Sequence, residues 1–269
     1  MAASESTSNH TLNKHRKLAG KVAIVTGGAS GIGEATARLF ADHGVRMVVI
    51  ADIQDELGNQ VAASIGTDRC SYVRCDVTDE DQVKHLVESA VNMYGTLDVM
   101  FSNAGILSPS DQTILDLNFT EMDSLFAVNV RGMAACVKHA ARVMVEKGVR
   151  GSIVCTSSVA GSVGSLKGTD YCMSKHAVVG LMRAASVQLA ARGIRVNSAS
   201  PNGMVTPLTA KTRGLTEEKL RELYRKYARL EGVDLTPEHV ADAVLFLASS
   251  DSEFITGQDL RIDGSFTHP

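Results

Sequence analysis

No apolar run in this sequence approaches the roughly 18 residues that a helical membrane span requires; stretches such as Val45–Ala51, broken by Arg46, and Val22–Val25 stop far short. A transmembrane segment is not expected. Neither sign of charge dominates, since 27 Lys and Arg face 30 Asp and Glu for a net charge of −3. The basic residues are spread along the chain, so the electrostatic footprint of a nucleic-acid binder is missing. The five cysteines, Cys70, Cys75, Cys136, Cys155 and Cys172, include no CxxC pair and no His/Cys ligand spacing. That argues against a disulfide framework and a zinc site. They read as reduced, mostly buried thiols, and the cytoplasm is the expected compartment. No Pro/Gly-rich linker, composition break or internal repeat divides the chain, which points to one domain.

What is present fits an ordinary soluble domain. Hydrophobic residues make up 44% and charged residues 21%, enough to bury a sizeable core. Residues 1–17 are polar and then basic, lack the apolar stretch of a secretory signal, and predict a disordered tail, with a truncated organelle-targeting peptide as the alternative. From Lys21 onward, Val/Ile-rich runs alternate with segments of helical period. Strands are predicted over 21–26, 46–51, 70–75, 97–101, 151–156, 194–199 and 259–262, and helices over 32–44, 54–65, 79–94, 119–147, 170–192, 216–229 and 236–249. This alternation is the pattern of βαβ units, and the near-continuous apolar strands suit a parallel sheet buried on both faces. The fold class is α/β. The alternation pauses over 202–230, an insertion that would overhang the C-terminal edge of the sheet, where open α/β folds bind ligands.

The first strand runs into Gly27-Gly28-Ala29-Ser30-Gly31-Ile32-Gly33 and then into a helix. Gly27 permits a tight turn, Gly31 lets backbone amides approach a pyrophosphate, and Gly33 allows close helix packing, with the helix N-terminus aimed at the phosphates. The spacing is GxxxGxG, and a merely structural turn is the alternative. Asp52 ends the second strand about 20 residues on, where a carboxylate can accept hydrogen bonds from a ribose and repel a 2′-phosphate. A helix N-cap is its alternative. No Arg or Lys follows in Ile53-Gln54, so NAD is favoured over NADP.

Tyr171 and Lys175 stand at i and i+4 on a predicted helix, which puts phenol and ammonium on one face. A phenol titrates near pH 10, and a nearby cation would lower that value. An ordinary exposed helical pair is the alternative. The strand over 151–156 ends in Ser157-Ser158, thirteen residues before Tyr171, which brings a hydroxyl to the same edge of the sheet. His139 and His176 lie on predicted helices without partner ligands, so no metal site is expected.

TGGASGIG (26–33), Asp76 in CDVTD, Asn103-Ala104-Gly105, Asn129 in VNVRG, Ser158, Tyr171 with Lys175, and SPNGMVTP (200–207) occur in the order and spacing of a known family. From residue 18 to about 265 the sequence resembles the short-chain dehydrogenase/reductase family. The resemblance implies a single-domain, Rossmann-like, doubly wound parallel sheet of seven strands over 18–269. It also implies a nicotinamide cofactor and a catalytic tetrad of Asn129, Ser158, Tyr171 and Lys175, in which Asn129 holds a water of a proton relay. The implied cofactor contacts are Gly27, Ser30, Gly31, Ile32 and Gly33 at the phosphates, Asp52 and Ile53 at the ribose, and Asp76 and Val77 at the adenine. Asn103, Ala104 and Gly105 would support the central strand beside the cofactor. Tyr171 and Lys175 would hold the nicotinamide ribose, and the Met204 backbone and Thr206 hydroxyl the nicotinamide amide. One departure stands out: after Pro201 the family commonly has Gly at once, whereas here Asn202 precedes Gly203.

The stretches GEATARLFADHG, DVMFSNAGI and RVNSASPNGMVTPLT further resemble the plant subgroup of specialised-metabolite alcohol dehydrogenases, particularly mint-family monoterpenoid members such as isopiperitenol, borneol and nepetalactol dehydrogenases. The candidate pocket segments 106–110, 159–166 and 204–208 contain no Arg or His, which suits a small apolar alcohol or ketone better than an anionic substrate. Leu215, Leu220, Tyr224 and Tyr227 would form the inner side of a helix that closes over it. The implied activity is NAD-dependent interconversion of a secondary alcohol or lactol with a ketone or lactone. A redox-neutral terpenoid cyclase or isomerase that keeps NAD bound is the alternative, and a non-catalytic dinucleotide binder is a third reading. A homotetramer is expected, with apolar residues of the helices over 119–147 and 170–192, such as Val130, Ala134, Val137, Val179, Leu181 and Met182, in a two-fold interface.

Overall fold

Short, apolar, mostly buried strands form the middle of the molecule, a computed structural model that describes residues 16–268, with full or nearly full burial in the central ones and partial exposure in the edge strands at Cys70–Arg74 and Asp259–Ile262. The strands are β1 (Val22–Thr26), β2 (Met47–Asp52), β3 (Cys70–Arg74), β4 (Val99–Ser102), β5 (Ser152–Thr156), β6 (Arg195–Pro201) and β7 (Asp259–Ile262). All pair in parallel, in the order β3-β2-β1-β4-β5-β6-β7. Successive side chains alternate between faces, so Ile24 enters one apolar cluster and its neighbour Val25 the other. The order reverses between β1 and β4, and chains leaving their C-terminal ends part to opposite faces and open a crevice.

The helices are α1 (Gly31–Asp42), α2 (Asp55–Ile65), α3 (Glu80–Tyr94), α4 (Phe119–Phe126), α5 (Met133–Glu146), α6 (Thr169–Ala190), α7 (Pro207–Arg213), α8 (Glu217–Arg225) and α9 (Pro237–Ala248). Phe40 of α1, Val61 of α2 and Val244 of α9 pack on one face of the sheet. Leu86 of α3, Cys136 and Met144 of α5 and Met182 of α6 pack on the other. No helix among the described residues is long and apolar enough to cross a membrane.

Three expectations need adjustment. The helix expected over 119–147 is interrupted by a π-helical turn, Ala127–Gly132, whose wider winding does not disturb the apolar pattern enough to show in sequence. The insertion over 202–230 folds into two helices, of which periodicity foretold only α8; seven residues are too few to display a period. Val137, Val179 and Met182, expected at a subunit interface, are buried in the core of their own chain. The expected tail lies outside the described residues up to residue 15. Lys17, counted with it, pairs with Asp251 at 2.6 Å.

Candidate active site

β1 delivers its chain directly into the glycine turn, and the turn can be made only by glycines. Gly27 and Gly31 have φ of 66° and 55°, a region that L side chains rarely adopt. A Cβ on Gly33 would lie 2.0 Å from the carbonyl oxygen of Gly27. Ser30, the N-cap of α1, makes no side-chain capping bond, so the first-turn amides of Gly31, Ile32 and Gly33, which lack intrahelical partners, remain available to an anion. A Cβ on Gly31 would meet Thr206 at 3.7 Å; the turn and the segment after β6 therefore face each other.

Asp52 sits almost buried at the C-terminal end of β2. Its carboxylate accepts the Ala29 amide at 3.1 Å and the Gln54 amide at 3.1 Å. It is not the cap of α2, whose N-cap is Gln54. These two bonds fix a negative charge beside the glycine turn. Ile53 lies exposed at the lip of the same cleft. The Asp76 carboxylate accepts the amide and hydroxyl of Thr78 at 2.9 and 2.8 Å, closing its own loop, and Val77 is buried with the β-carbon position of Gly132 crowded against it.

Asn103 joins three strands. Its amide hydrogens reach the carbonyls of Thr26 and Gly27 at 3.0 and 3.3 Å, and its side-chain oxygen accepts the Thr156 hydroxyl at 2.9 Å. The Thr26 hydroxyl in turn accepts the backbone amides of Asn103 and Ala104 at 2.9 and 3.1 Å. Gly105 keeps the chain close to Asn129 and Lys175, whose side-chain atoms would lie 3.3 and 3.7 Å from a Cβ there.

The tetrad residues converge at this edge. Ser158 follows β5; its hydroxyl accepts the Ala160 amide at 3.2 Å and stands near enough to the phenol of Tyr171, in the first turn of α6, to favour its ionised form. Lys175, one turn on, is buried and donates to the Thr156 carbonyl at 2.9 Å. Its Nζ stands 5.6 Å from the centroid of the Tyr171 ring. Asn129 lies in the π-helical turn, fully buried; its side chain accepts the Ile106 amide at 2.8 Å and donates to the Ile106 carbonyl at 2.9 Å and to Ser174 at 3.3 Å. Both amide hydrogens are thereby used, so this side chain holds the segment after β4 in place and has no N–H to offer a water.

Electrostatics here depart from the simple reading of a lysine that lowers its neighbour's pKa. Burial pushes the Tyr171 phenol up to about 12 despite the opposing effect of the Ser158 hydroxyl. Burial likewise lowers Lys175 to about 8. Removing both groups from water disfavours both charges.

After β6, Asn202 donates to the carbonyls of Tyr227 and Asp263 at 3.0 and 3.3 Å, so the residue that departs from the family pattern ties the end of the insertion to the C-terminal turn. Met204 is buried, and its carbonyl accepts the Thr209 hydroxyl at 2.9 Å. Thr206 caps α7 by accepting the Thr209 amide at 3.2 Å. Leu220 anchors α8 in full burial and Tyr224 is half-buried, whereas Leu215 and Tyr227 are more exposed. Sequence reasoning gave no role to Thr156 and Ser174, or to Thr26 beyond its place at the head of the glycine motif, although these polar residues orient the named ones. It also left Arg213 out of the pocket surroundings, although this cation stands beside the Tyr224 phenol.

The family model described as enoyl-(acyl carrier protein) reductase matches residues 27–267. A (+)-cis,trans-nepetalactol synthase of Nepeta racemosa is 55% identical over 96% of this chain and 95% of its own length. The chain belongs to the short-chain dehydrogenase/reductase family. A mitochondrial (−)-isopiperitenol/(−)-carveol dehydrogenase of Mentha piperita is 56% identical over 93% of this chain and 94% of that protein. The crystal structure of a short-chain type dehydrogenase/reductase from Mycobacterium marinum superimposes with a TM-score of 0.87 at 34% identity, covering 95% of this chain and 98% of that one. The mint-family likeness read from the sequence is thus matched by its relatives, and the family is one of oxidoreductases.

Proposed function

We propose that this protein is an NAD-dependent dehydrogenase that interconverts a secondary alcohol or lactol with the ketone or lactone of a small apolar terpenoid. The observation that carries the reading is the convergence of Ser158, Tyr171 and Lys175 at the crevice where the sheet order reverses. The surroundings fit a dinucleotide: uncapped amides at the start of α1 for the pyrophosphate, the fixed charge of Asp52 for ribose hydroxyls, and the facing Met204–Thr206 segment for the nicotinamide. When bound, that group takes up hydride from the carbinol carbon. Tyr171 accepts the hydroxyl proton, and Ser158 holds the substrate oxygen. Lys175 binds the nicotinamide ribose and supplies positive charge near the phenol. A phenol at about 12 in the free chain needs that charge, together with the charge of the oxidised cofactor, to ionise near neutrality. Asn129 keeps the Ile106 segment, one wall of the substrate space, in register with the phenol.

The Nepeta relatives, which are nepetalactol synthases, favour a second reading, a redox-neutral conversion to nepetalactol. An apolar cleft with a proton-donating phenol suffices for such chemistry. Assays of borneol, isopiperitenol and nepetalactol with NAD or NADP, against a steroid, a sugar alcohol and a hydroxyacyl-CoA, separate the readings. NADH formation from a terpenoid supports the dehydrogenase. Conversion of a terpenoid without NADH formation supports the second reading, and faster turnover of any of the last three compounds overturns both. A fluorescent fusion of the full chain tests the cytoplasmic assignment against the organelle named for the Mentha relative.

A further inference from the structure

Asp170, the residue immediately before Tyr171, is a fully buried carboxylate that the mechanism above does not use. Its Oδ1 accepts the Ser108 hydroxyl at 2.5 Å and the backbone amide of Tyr171 at 2.8 Å. Its Oδ2 is buried without a partner. A buried charge with one oxygen unmatched is costly and persists only where something repays it. Part of the repayment is local, since Asp170 lies in the first turn of α6, where the helix dipole favours an anion and the Tyr171 amide has no intrahelical acceptor.

The rest lies in what Asp170 joins. Ser108 sits in the segment that leaves β4 and passes the active-site edge toward α4. Asn129 holds that segment at Ile106. Farther along, Gln112 is buried, accepts the Thr169 amide on its carbonyl at 2.8 Å, and accepts the Asn118 amide on its side-chain oxygen at 2.8 Å. Lys167 and Asp111 add an exposed ion pair across the same boundary, which contributes little by itself. Ser108–Asp170 is therefore a part-buried side-chain link between this wall and the turn that carries the phenol.

We infer that Asp170 is a positioning residue, which clamps the Ile106–Gln112 wall to the backbone of Tyr171 and thereby sets the distance between substrate wall and phenol. The inference rests on the dehydrogenase reading only for its kinetic consequence. Ser108→Ala removes the clamp while leaving Tyr171 and its amide bond in place, and Ser108→Thr keeps the hydroxyl. Asp170→Asn keeps an acceptor but replaces the charge.

The test compares these variants with the wild type by hydrogen exchange of the amides over 106–118, by NADH binding and by steady-state kinetics on the alcohol that the wild type turns over best. Ser108→Ala should speed exchange in the wall and raise KM by about fivefold or more with a smaller fall in kcat, and Ser108→Thr should restore both. Asp170→Asn should lower kcat/KM by tenfold or more, because misplacement of a reacting group by about 1 Å can cost as much as about 100-fold. NADH affinity should hold in all three. Unchanged wall exchange in Ser108→Ala, or equal behaviour of the Ala and Thr variants, overturns the inference. A wild type that turns over no alcohol overturns the function instead, and the exchange data still decide the clamp.

Discussion

Lys175 Nζ donates a 2.9 Å hydrogen bond to the Thr156 carbonyl, which ties the ammonium to the strand leading to Ser158 while it remains 5.6 Å from the ring centroid of Tyr171. The carbonyl orients this cation but does not neutralise it, and burial lowers its pKa from 10.5 to about 8. Between those values the unfolded chain binds more protons at this site than the folded one, so the site's contribution to stability rises with pH across that window. Below about pH 8 the full cost of the buried charge is present. Lys175→Met should remove it, so the variant's unfolding free energy relative to wild type should be most favourable near pH 7 and should decline toward pH 10, by up to about 3 kcal/mol. Urea denaturation of the cofactor-free proteins across that range measures the difference, and parallel curves would show that the ammonium is not desolvated. The buried thiols of Cys70, Cys75, Cys136 and Cys155 are raised by burial to between about 11 and about 12; loss of the Lys175 charge moves Cys155 only further up, so in both folded proteins these thiols stay protonated below pH 10 and their contributions cancel.

Tyr171→Phe should leave NADH binding nearly intact, because the ring packing is kept. It should reduce alcohol turnover by about 100- to 10,000-fold, the usual contribution of a positioned acid–base group. Retention of more than about a tenth of the wild-type kcat would remove the phenol from the proton-transfer role.

Asp52→Ala should weaken NAD binding and narrow the preference over NADP, since the fixed charge that would repel a 2′-phosphate is gone. The Ala29 and Gln54 amides also lose their acceptor, at a cost of roughly 1–3 kcal/mol if either stays buried and unpaired. Cofactor titrations followed by NADH and NADPH fluorescence give both affinities. A wild type that prefers NADPH contradicts the role given to Asp52.

The apolar side chains left on the outside of α4 and α6 are Phe119, Met173 and Val187, which are 67%, 45% and 79% exposed. They take the place of Val137, Val179 and Met182 in the argument for a subunit interface. Sedimentation at micromolar concentration should show a homotetramer, and Phe119→Glu with Val187→Glu should reduce the assembly. A monomeric wild type would mean that these side chains face only water.

The parts of this site that sequence displays are those where geometry leaves one residue type. The positive φ at Gly31 favours glycine, the lack of room for a Cβ at Gly33 demands it, and strands buried on both faces are rich in Val and Ile. Tyr171 and Lys175 are legible because one helical turn separates them. Ser108 and Asp170 are 62 residues apart, and a pairing made by tertiary folding leaves no periodicity to read. The same holds for Asn129, whose position in the motif was visible but whose partners, the backbone groups of Ile106, were not. The apolar pattern of α5 and α6 told of burial without telling against what, and this is why core residues were counted toward an interface.

Gly203 and Tyr224 form another such pair, and they test how the insertion is seated. A Cβ on Gly203 would lie 2.3 and 2.6 Å from Cδ1 and Cε1 of the Tyr224 ring, so the ring of α8 rests on the bare backbone next to Asn202. No positive φ is involved at Gly203, and the effect of Gly203→Ala is therefore steric alone. The ring must swing away, at a cost of about 1–3 kcal/mol for overpacking. Because the Thr209 hydroxyl links the neighbourhood of Tyr224 to the Met204 carbonyl, displacement of the ring should also raise KM for an apolar alcohol more than it weakens NADH binding. Tyr224→Ala removes the obstacle, so adding Gly203→Ala in that background should be nearly neutral. The two substitutions then show a coupling of about 1 kcal/mol or more in a double-mutant cycle by urea denaturation. Additive effects would mean that α8 does not rest on Gly203 in solution.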